Sequence, residues 1–137
     1  MHTVSLFPTL LDYQVLGTFM IRATLGLLFV YSAYAHIFRK RTGRIEFFET
    51  VKLHPARIFF LITTIAELIV GTLLTLGLYT QPVAALTGTV MLLTVLLKRY
   101  RITAITHHNF EFYILLAVVS FALLFLGPGA FAIDLPL

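Results

Sequence analysis

The chain of 137 residues has no cysteine, no tryptophan and few charged side chains. Without cysteine it has no disulfide framework, no thiol redox motif and no Cys-ligated zinc or iron–sulfur centre. Charged residues make up 12% of the chain and hydrophobic residues 59%, whereas soluble domains average about 25% charged and about 45–50% apolar residues. The mean hydropathy is +0.95. A soluble enzyme, a nucleic-acid-binding module and a disordered chain are therefore excluded, and the surface is expected to face lipid.

Four apolar runs dominate the sequence and predict four membrane spans. They cover approximately residues 15–38, 58–78, 81–99 and 109–127, within a single predicted domain of residues 1–137. A helix needs about 20 residues to cross roughly 30 Å of hydrocarbon, and its backbone amides are then satisfied within the segment. The alternation of apolar and polar residues that is typical of membrane barrels is missing. The predicted fold class is therefore all-α, an integral membrane four-helix bundle.

The basic residues predict how this bundle is oriented. Seven of the ten lie between the first and second runs or between the third and fourth, Lys98 and Arg99 end the third run beside the second of these loops, and the tenth, Arg22, lies inside the first run. By the positive-inside rule both basic loops face the cytoplasm and both termini face outward. The N-terminal segment also lacks the basic region and small-residue cleavage site of a signal peptide. We therefore expect a multi-pass protein of the bacterial inner membrane.

The first basic loop contains a short stretch, residues 45–53, with apolar residues at helical spacing. If the stretch is helical, Ile45, Phe48 and Leu53 lie near one face. This pattern is typical of an amphipathic helix lying on the inner leaflet. A plain polar loop is the alternative.

Arg22 and Glu67 interrupt the first and second runs and are the first candidates for a site. Ionised groups inside spans are costly and usually face the interior of a bundle. Counted at about 1.5 Å per residue from the cytoplasmic ends, Arg22 lies about 24 Å and Glu67 about 15 Å deep, so the two side chains could reach each other. They predict a buried polar centre. This is either an ion pair that fixes how the two spans dock, or a glutamate that handles protons.

A second group of candidates lies at the predicted cytoplasmic rim: His36 near the end of the first span, and His107, His108 and Glu111 around the start of the fourth. Glu111 follows His107 by four residues and His108 by three, so it can meet either on a helix face. Such groups could hydrogen-bond a quinone carbonyl or relay protons. The alternative is interfacial histidines that contact lipid headgroups. Metal binding is conceivable, but two histidines do not define a site and no metal is predicted.

Three motifs resemble the DoxX family of small four-span membrane proteins. They are Arg22-Ala-Thr-Leu-Gly26-Leu-Leu-Phe29, Glu67-Leu-Ile-Val-Gly71 with the later Gly77-Leu-Tyr-Thr80, and Gly127-Pro128-Gly129 followed by Asp134. The resemblance covers roughly residues 17–134. Among the relatives it implies, some belong to a thiosulfate:quinone oxidoreductase, others associate with redox and oxidative-stress complexes, and a eukaryotic branch acts in cargo export. Where many members carry a lysine near the end of the first span, this chain has the titratable His36.

These observations and the resemblance suggest a subunit in or beside a quinone-linked redox assembly rather than a catalyst working alone. Arg22 and Glu67 would form its polar centre, and His36, His107, His108 and Glu111 a quinone or proton site. The expected partners are the bilayer and other membrane or redox subunits, without nucleic acid, and a homo-oligomer stays open. The sequence assigns no cofactor, and a quinone is possible. Two alternatives remain: a non-catalytic scaffold or interaction subunit, and a small carrier of protons or an organic solute centred on Glu67.

Overall fold

The computed structural model describes residues 12–101 and 110–133, and these residues form five helices joined by turns, without a strand. The helices are α1 (Gln14–Phe38), α2 (Arg41–Thr50), α3 (Ala56–Leu76), α4 (Thr80–Arg101) and α5 (Phe110–Leu126). In the described part of the chain, three helices (α1, α3 and α4) are long and apolar enough to cross a membrane. With 17 residues, α5 matches the lower limit of about 17 for a span. The predicted all-α membrane bundle is confirmed.

Large apolar side chains cover the outside of the bundle. Leu27, Ile62, Leu93 and Phe125 are all more than half exposed, and they come from four different helices. In water, such exposure would cost roughly 25 cal/mol for every Å² of apolar surface. These faces therefore contact the lipid bilayer.

The helices pack as two antiparallel pairs, α1 with α3 and α4 with α5, and each helix contacts its own partner far more extensively than the other pair. Glycine permits the closest approach, between α1 and α3. A β-carbon at Gly26 would lie 2.8 Å from the carbonyl oxygen of Gly71, and one at Gly71 would lie 2.8 Å from the carbonyl oxygen of Gly26. Because the contact between the pairs is sparser, space for a groove remains between them.

The short helix α2 lies beside the first turns of α3. Phe48 of α2 packs with Ala56 and Phe60 of α3 in a small apolar core that is separate from the main core of the bundle. The helix begins at Arg41, four residues before the stretch predicted to be amphipathic, and ends at Thr50. The stretch is therefore helical as far as Thr50 and buries Phe48 on one face, so the polar-loop alternative is wrong, whereas its position on the inner leaflet stays a prediction.

The antiparallel order gives the bundle two ends of different character. One end contains the last turn of α1, all of α2 and the start of α3, and the described residues here include most of the basic side chains: Arg39, Lys40, Arg41, Arg44, Lys52, Arg57 and Arg99. We call it the basic end. At the opposite end, the turn at Gly77–Tyr79 lies near residues 127–132, with the β-carbon position of Gly77 only 2.8 Å from Ala132.

Candidate functional site

Near the basic end, Glu67 of α3 meets one side chain from α1 and one from α2. Its Oε1 accepts a hydrogen bond from Nη2 of Arg44, and its Oε2 lies 2.9 Å from Nδ1 of His36. The three side chains are only 12–18% exposed. We call these three residues the Glu67 cluster. It joins three helices through one carboxylate.

The hydrogen-bond pattern assigns a tautomer to His36. The guanidinium Nη1 of Arg44 can only donate, and it lies 2.8 Å from Nε2 and 2.9 Å from Nδ1 of His36. The ionised carboxylate of Glu67 can only accept, so Nδ1 of a neutral imidazole carries the proton and donates to Oε2, which leaves Nε2 as the acceptor for Arg44. The imidazole is then a neutral bridge between a cation and an anion, and the cluster as a whole carries no net charge.

Local structure explains why these side chains converge. Arg44 lies in the first turn of α2, and it shares the face of that helix on which Phe48 is buried, four residues later. The contact between Phe48 and α3 therefore turns Arg44 towards the bundle. His36 lies in the last turn of α1, one turn beyond Ser32, whose Oγ is 3.4 Å from Nδ1 of the histidine.

A cavity of about 40 Å³ adjoins the cluster, and its polar lining comes from Ser32, Arg44, Glu67 and Tyr113. This volume exceeds the about 10–15 Å³ needed for one water molecule, and several polar partners surround it. Tyr113 comes from α5, so the cavity connects the Glu67 cluster to the second helix pair. The space suits a water molecule or a small polar group of a ligand.

A much larger groove of about 1360 Å³ runs between the two helix pairs and also reaches the Glu67 cluster. Small-molecule pockets typically measure about 300–1,000 Å³. The walls are mainly apolar and include Phe29, Val70, Met91 and Leu97. The groove therefore offers a long apolar channel with a charged, hydrogen-bonding cluster on its lining.

Arg22 lies at the opposite end and is completely buried. Its Nη1 donates to the carbonyl oxygen of Pro128, and its Nη2 donates to that of Ala130 over 3.1 Å. The guanidinium carbon also stands 5.5 Å from the ring centroid of Phe19, within the range of a cation–π contact. Arg22 thus fastens the C-terminal Gly-Pro-Gly turn to α1.

The expected ion pair between Arg22 and Glu67 is not formed, and the joint polar centre it implied needs correction. In the described part of the chain, each residue binds other groups. Glu67 contacts His36, which follows Arg22 by fourteen residues along α1, whereas Arg22 contacts Pro128 and Ala130 at the opposite end. The depth estimate took the helix ends as level, whereas α3 extends past the end of α1 beside α2.

The other predicted site residues that the structure describes are likewise not brought together in one site. His36 belongs to the Glu67 cluster, whereas Glu111 is exposed in the first turn of α5 and does not line the groove, although Phe110 and Phe112 do. His107 and His108 lie outside the described residues. In residues 12–101 and 110–133, no group of three or more His, Asp or Glu side chains could hold a metal ion.

Sequence reasoning missed Arg44 and Tyr113, although a signal for each was present. Arg44 precedes Phe48 by one helical turn in the amphipathic stretch, which places it on the inward face. Tyr113 likewise precedes the buried Leu116, Ala117 and Ser120 at three, four and seven residues. Helical periodicity continued one turn towards the N-terminus would have found both.

The fold and this site define a polytopic α-helical membrane protein with a polar cluster on a groove between helices. More specifically, the chain belongs to the DoxX family, whose family model matches residues 17–99. The matched segment contains Arg22 and all three residues of the Glu67 cluster. Neither the search of curated proteins nor the search of solved structures found a match to the chain.

Proposed function

We propose that this DoxX protein binds a lipophilic quinone in the groove, as a subunit in or beside a quinone-linked redox assembly. The observation that carries the proposal is the position of the Glu67 cluster on the lining of a long apolar groove. A cluster of this kind inside a membrane protein is costly, which favours a functional role.

The chemistry of the lining fits a quinone. Its ring carbonyls need hydrogen-bond donors, and the guanidinium of Arg44 carries several N–H groups in addition to the two that bind Glu67 and His36. Its isoprenoid tail needs an apolar channel longer than an ordinary small-molecule pocket, and the groove has the required volume. The protein would bind and orient the quinone, and partner subunits would exchange the electrons.

Binding of decylubiquinone to the protein in lipid nanodiscs tests this proposal. The double variant Glu67→Gln with Arg44→Gln removes both charges, so neither is left buried alone. We expect its affinity to fall by about tenfold or more, equivalent to about 1.4 kcal/mol. Glu49→Gln is the matched control, because Glu49 is exposed on α2 and does not line the groove. Equal affinity of the folded double variant and the wild type would refute the proposal.

A scaffold or interaction subunit is the second candidate, and one observation favours it. Both oxygens of Glu67 already accept hydrogen bonds within the protein, so the cluster can stabilise the bundle without a ligand. In that case the double variant would lose co-purifying subunits in mild detergent and would bind decylubiquinone as the wild type does. A carrier centred on Glu67 would instead show flux into proteoliposomes that the Glu67→Gln substitution abolishes.

We also propose that the basic end faces the cytoplasm of a bacterial inner membrane, because lysine and arginine are retained on that side. The absence of native cysteine makes the test clean. Thr42→Cys places a thiol on exposed α2 at the basic end, and Ile133→Cys places one at the exposed opposite end. In spheroplasts, whose outer membrane is removed and whose inner membrane is intact, a membrane-impermeant maleimide should label position 133 and should not label position 42. The reverse pattern would invert the proposed orientation.

A further inference from the structure

The charges that line the groove are unbalanced. Three cationic side chains, Lys40, Arg44 and Arg99, line it, and Glu67 is the single carboxylate on its described lining. Arg44 and Glu67 neutralise each other within the Glu67 cluster. The positive charges of Lys40 and Arg99 remain, and in the described part of the chain neither residue forms an ion pair.

These two cations come from different helix pairs. Lys40 lies between the end of α1 and the start of α2, and Arg99 lies in the last turn of α4. Both side chains are exposed, and both contribute to the same groove at the basic end. The groove is therefore flanked by fixed positive charge at that end and continues between apolar walls.

We propose that the groove binds an anionic phospholipid, with its phosphate between Lys40 and Arg99 and an acyl chain along the apolar walls. The charge of the lining complements an anionic headgroup, and a basic pocket between membrane helices is a known setting for such lipids. The volume accommodates a chain as well as a head, since it exceeds that of pockets for compact molecules. The headgroup site is separate from the Glu67 cluster, because Lys40 and Arg99 lie outside it, whereas the acyl chain and the isoprenoid tail of a quinone would occupy the same apolar walls.

Native mass spectrometry can test the inference on the full chain in nanodiscs of equal parts phosphatidylglycerol and phosphatidylcholine. The lipids that stay bound when the protein is released from the nanodisc report which of the two lipids it prefers. We expect the wild type to retain phosphatidylglycerol preferentially. Lys40→Gln with Arg99→Gln should reduce that preference by about fivefold or more, because both positive charges beside the anionic headgroup are removed.

The matched control is Arg39→Gln with Arg57→Gln. It removes the same charge from exposed residues at the same end that do not line the groove, so we expect the preference to change by less than about twofold. An equal loss in both double variants would show that the general positive charge of this end, and not the groove, selects the lipid. Equal retention of both lipids by the wild type would also overturn the inference.

Decylubiquinone binding, measured on the same samples, separates this inference from the proposed function. If quinone binding depends on the Glu67 cluster while no lipid preference is found, the lipid inference alone fails. If the lipid preference depends on Lys40 and Arg99 while quinone binding is independent of Glu67 and Arg44, the proposed function alone fails.

Discussion

The two charged regions of this bundle stabilise their buried charges in different ways. At the end opposite the basic end, Arg22 is fully buried and donates to backbone carbonyls of the C-terminal turn. Gly77 lies directly against its guanidinium, since a β-carbon at Gly77 would lie 2.5 Å from Nη1 of Arg22. At the basic end, the Glu67 cluster consists of side chains only, keeps some exposure and adjoins both cavities.

This difference gives two charged residues of the DoxX-like motifs different expected roles, a structural one for Arg22 and a functional one for Glu67. An arginine enclosed by backbone and glycine has no space for a ligand, so its bonds hold the chain together. Side chains beside a cavity can exchange partners, because a ligand can replace one hydrogen bond with another at little cost. Arg22 is therefore expected to control stability, and the Glu67 cluster is expected to control binding.

The largest effect is expected at the opposite end, where Arg22→Gln should destabilise the protein by about 3 kcal/mol or more. The substitution removes two charge-assisted hydrogen bonds, each of which contributes about 1.5–3 kcal/mol, and leaves the part-buried carbonyls of Pro128 and Ala130 without these donors. Thermal unfolding in a fixed detergent, followed by circular dichroism, measures the change.

Arg22→Lys is the informative control for that measurement. It keeps the charge but loses the fork of donors that reaches two carbonyl oxygens at once. We expect it to unfold between the wild type and Arg22→Gln. If Arg22→Gln unfolds at the wild-type temperature, the C-terminal turn does not depend on Arg22, and the contrast between the two ends disappears.

Much of the fold could be predicted from the sequence, because hydropathy and helix length are local properties. The four apolar helices begin and end within two residues of the predicted runs. The partners of Arg22 and Glu67 were not predictable in the same way, since they depend on how far α3 slides past α1. That offset depends on tertiary packing, such as the close approach of Gly26 and Gly71 between α1 and α3.

The candidate site could be predicted only in part, because not all of its residues stand out in the sequence. His36 and Glu67 stood out as polar residues in apolar runs, whereas Arg44 was one of several basic residues in a loop whose charge was assigned to orientation. The two acceptors that the structure describes for Arg22 are main-chain carbonyls, which every residue has, so composition gave no sign of them. The Gly-Pro-Gly motif marked only the turn that presents these carbonyls.

An intermediate effect is expected within the Glu67 cluster. Glu67→Gln and Arg44→Gln should each destabilise the protein by about 1–3 kcal/mol, because each leaves one partly buried charge without its counterpart. The double variant should cost less than the sum of the two, with a coupling energy of about 0.5–3 kcal/mol. Unfolding of all four proteins in the same detergent completes the cycle.

The same cycle between Glu67→Gln and Arg22→Gln is the control, because these residues lie at different ends. Their effects should add within about 0.5 kcal/mol, as is usual for distant sites. Strong coupling between Arg22 and Glu67 would mean that the two ends act as one polar centre, contrary to the arrangement of their hydrogen bonds.

The smallest effect concerns a single proton. The bond from Arg44 to Nε2 of His36 requires the neutral imidazole to carry its proton on Nδ1. Nitrogen NMR of protein labelled at its five histidines distinguishes the two tautomers. The signal that His36→Gln removes, and His54→Gln retains, should report Nδ1–H in the wild type. Arg44→Gln should allow the other tautomer, whereas Arg22→Lys should leave the signal unchanged. An Nε2–H tautomer in the wild type would contradict the assigned bond and would leave Glu67 paired with Arg44 alone.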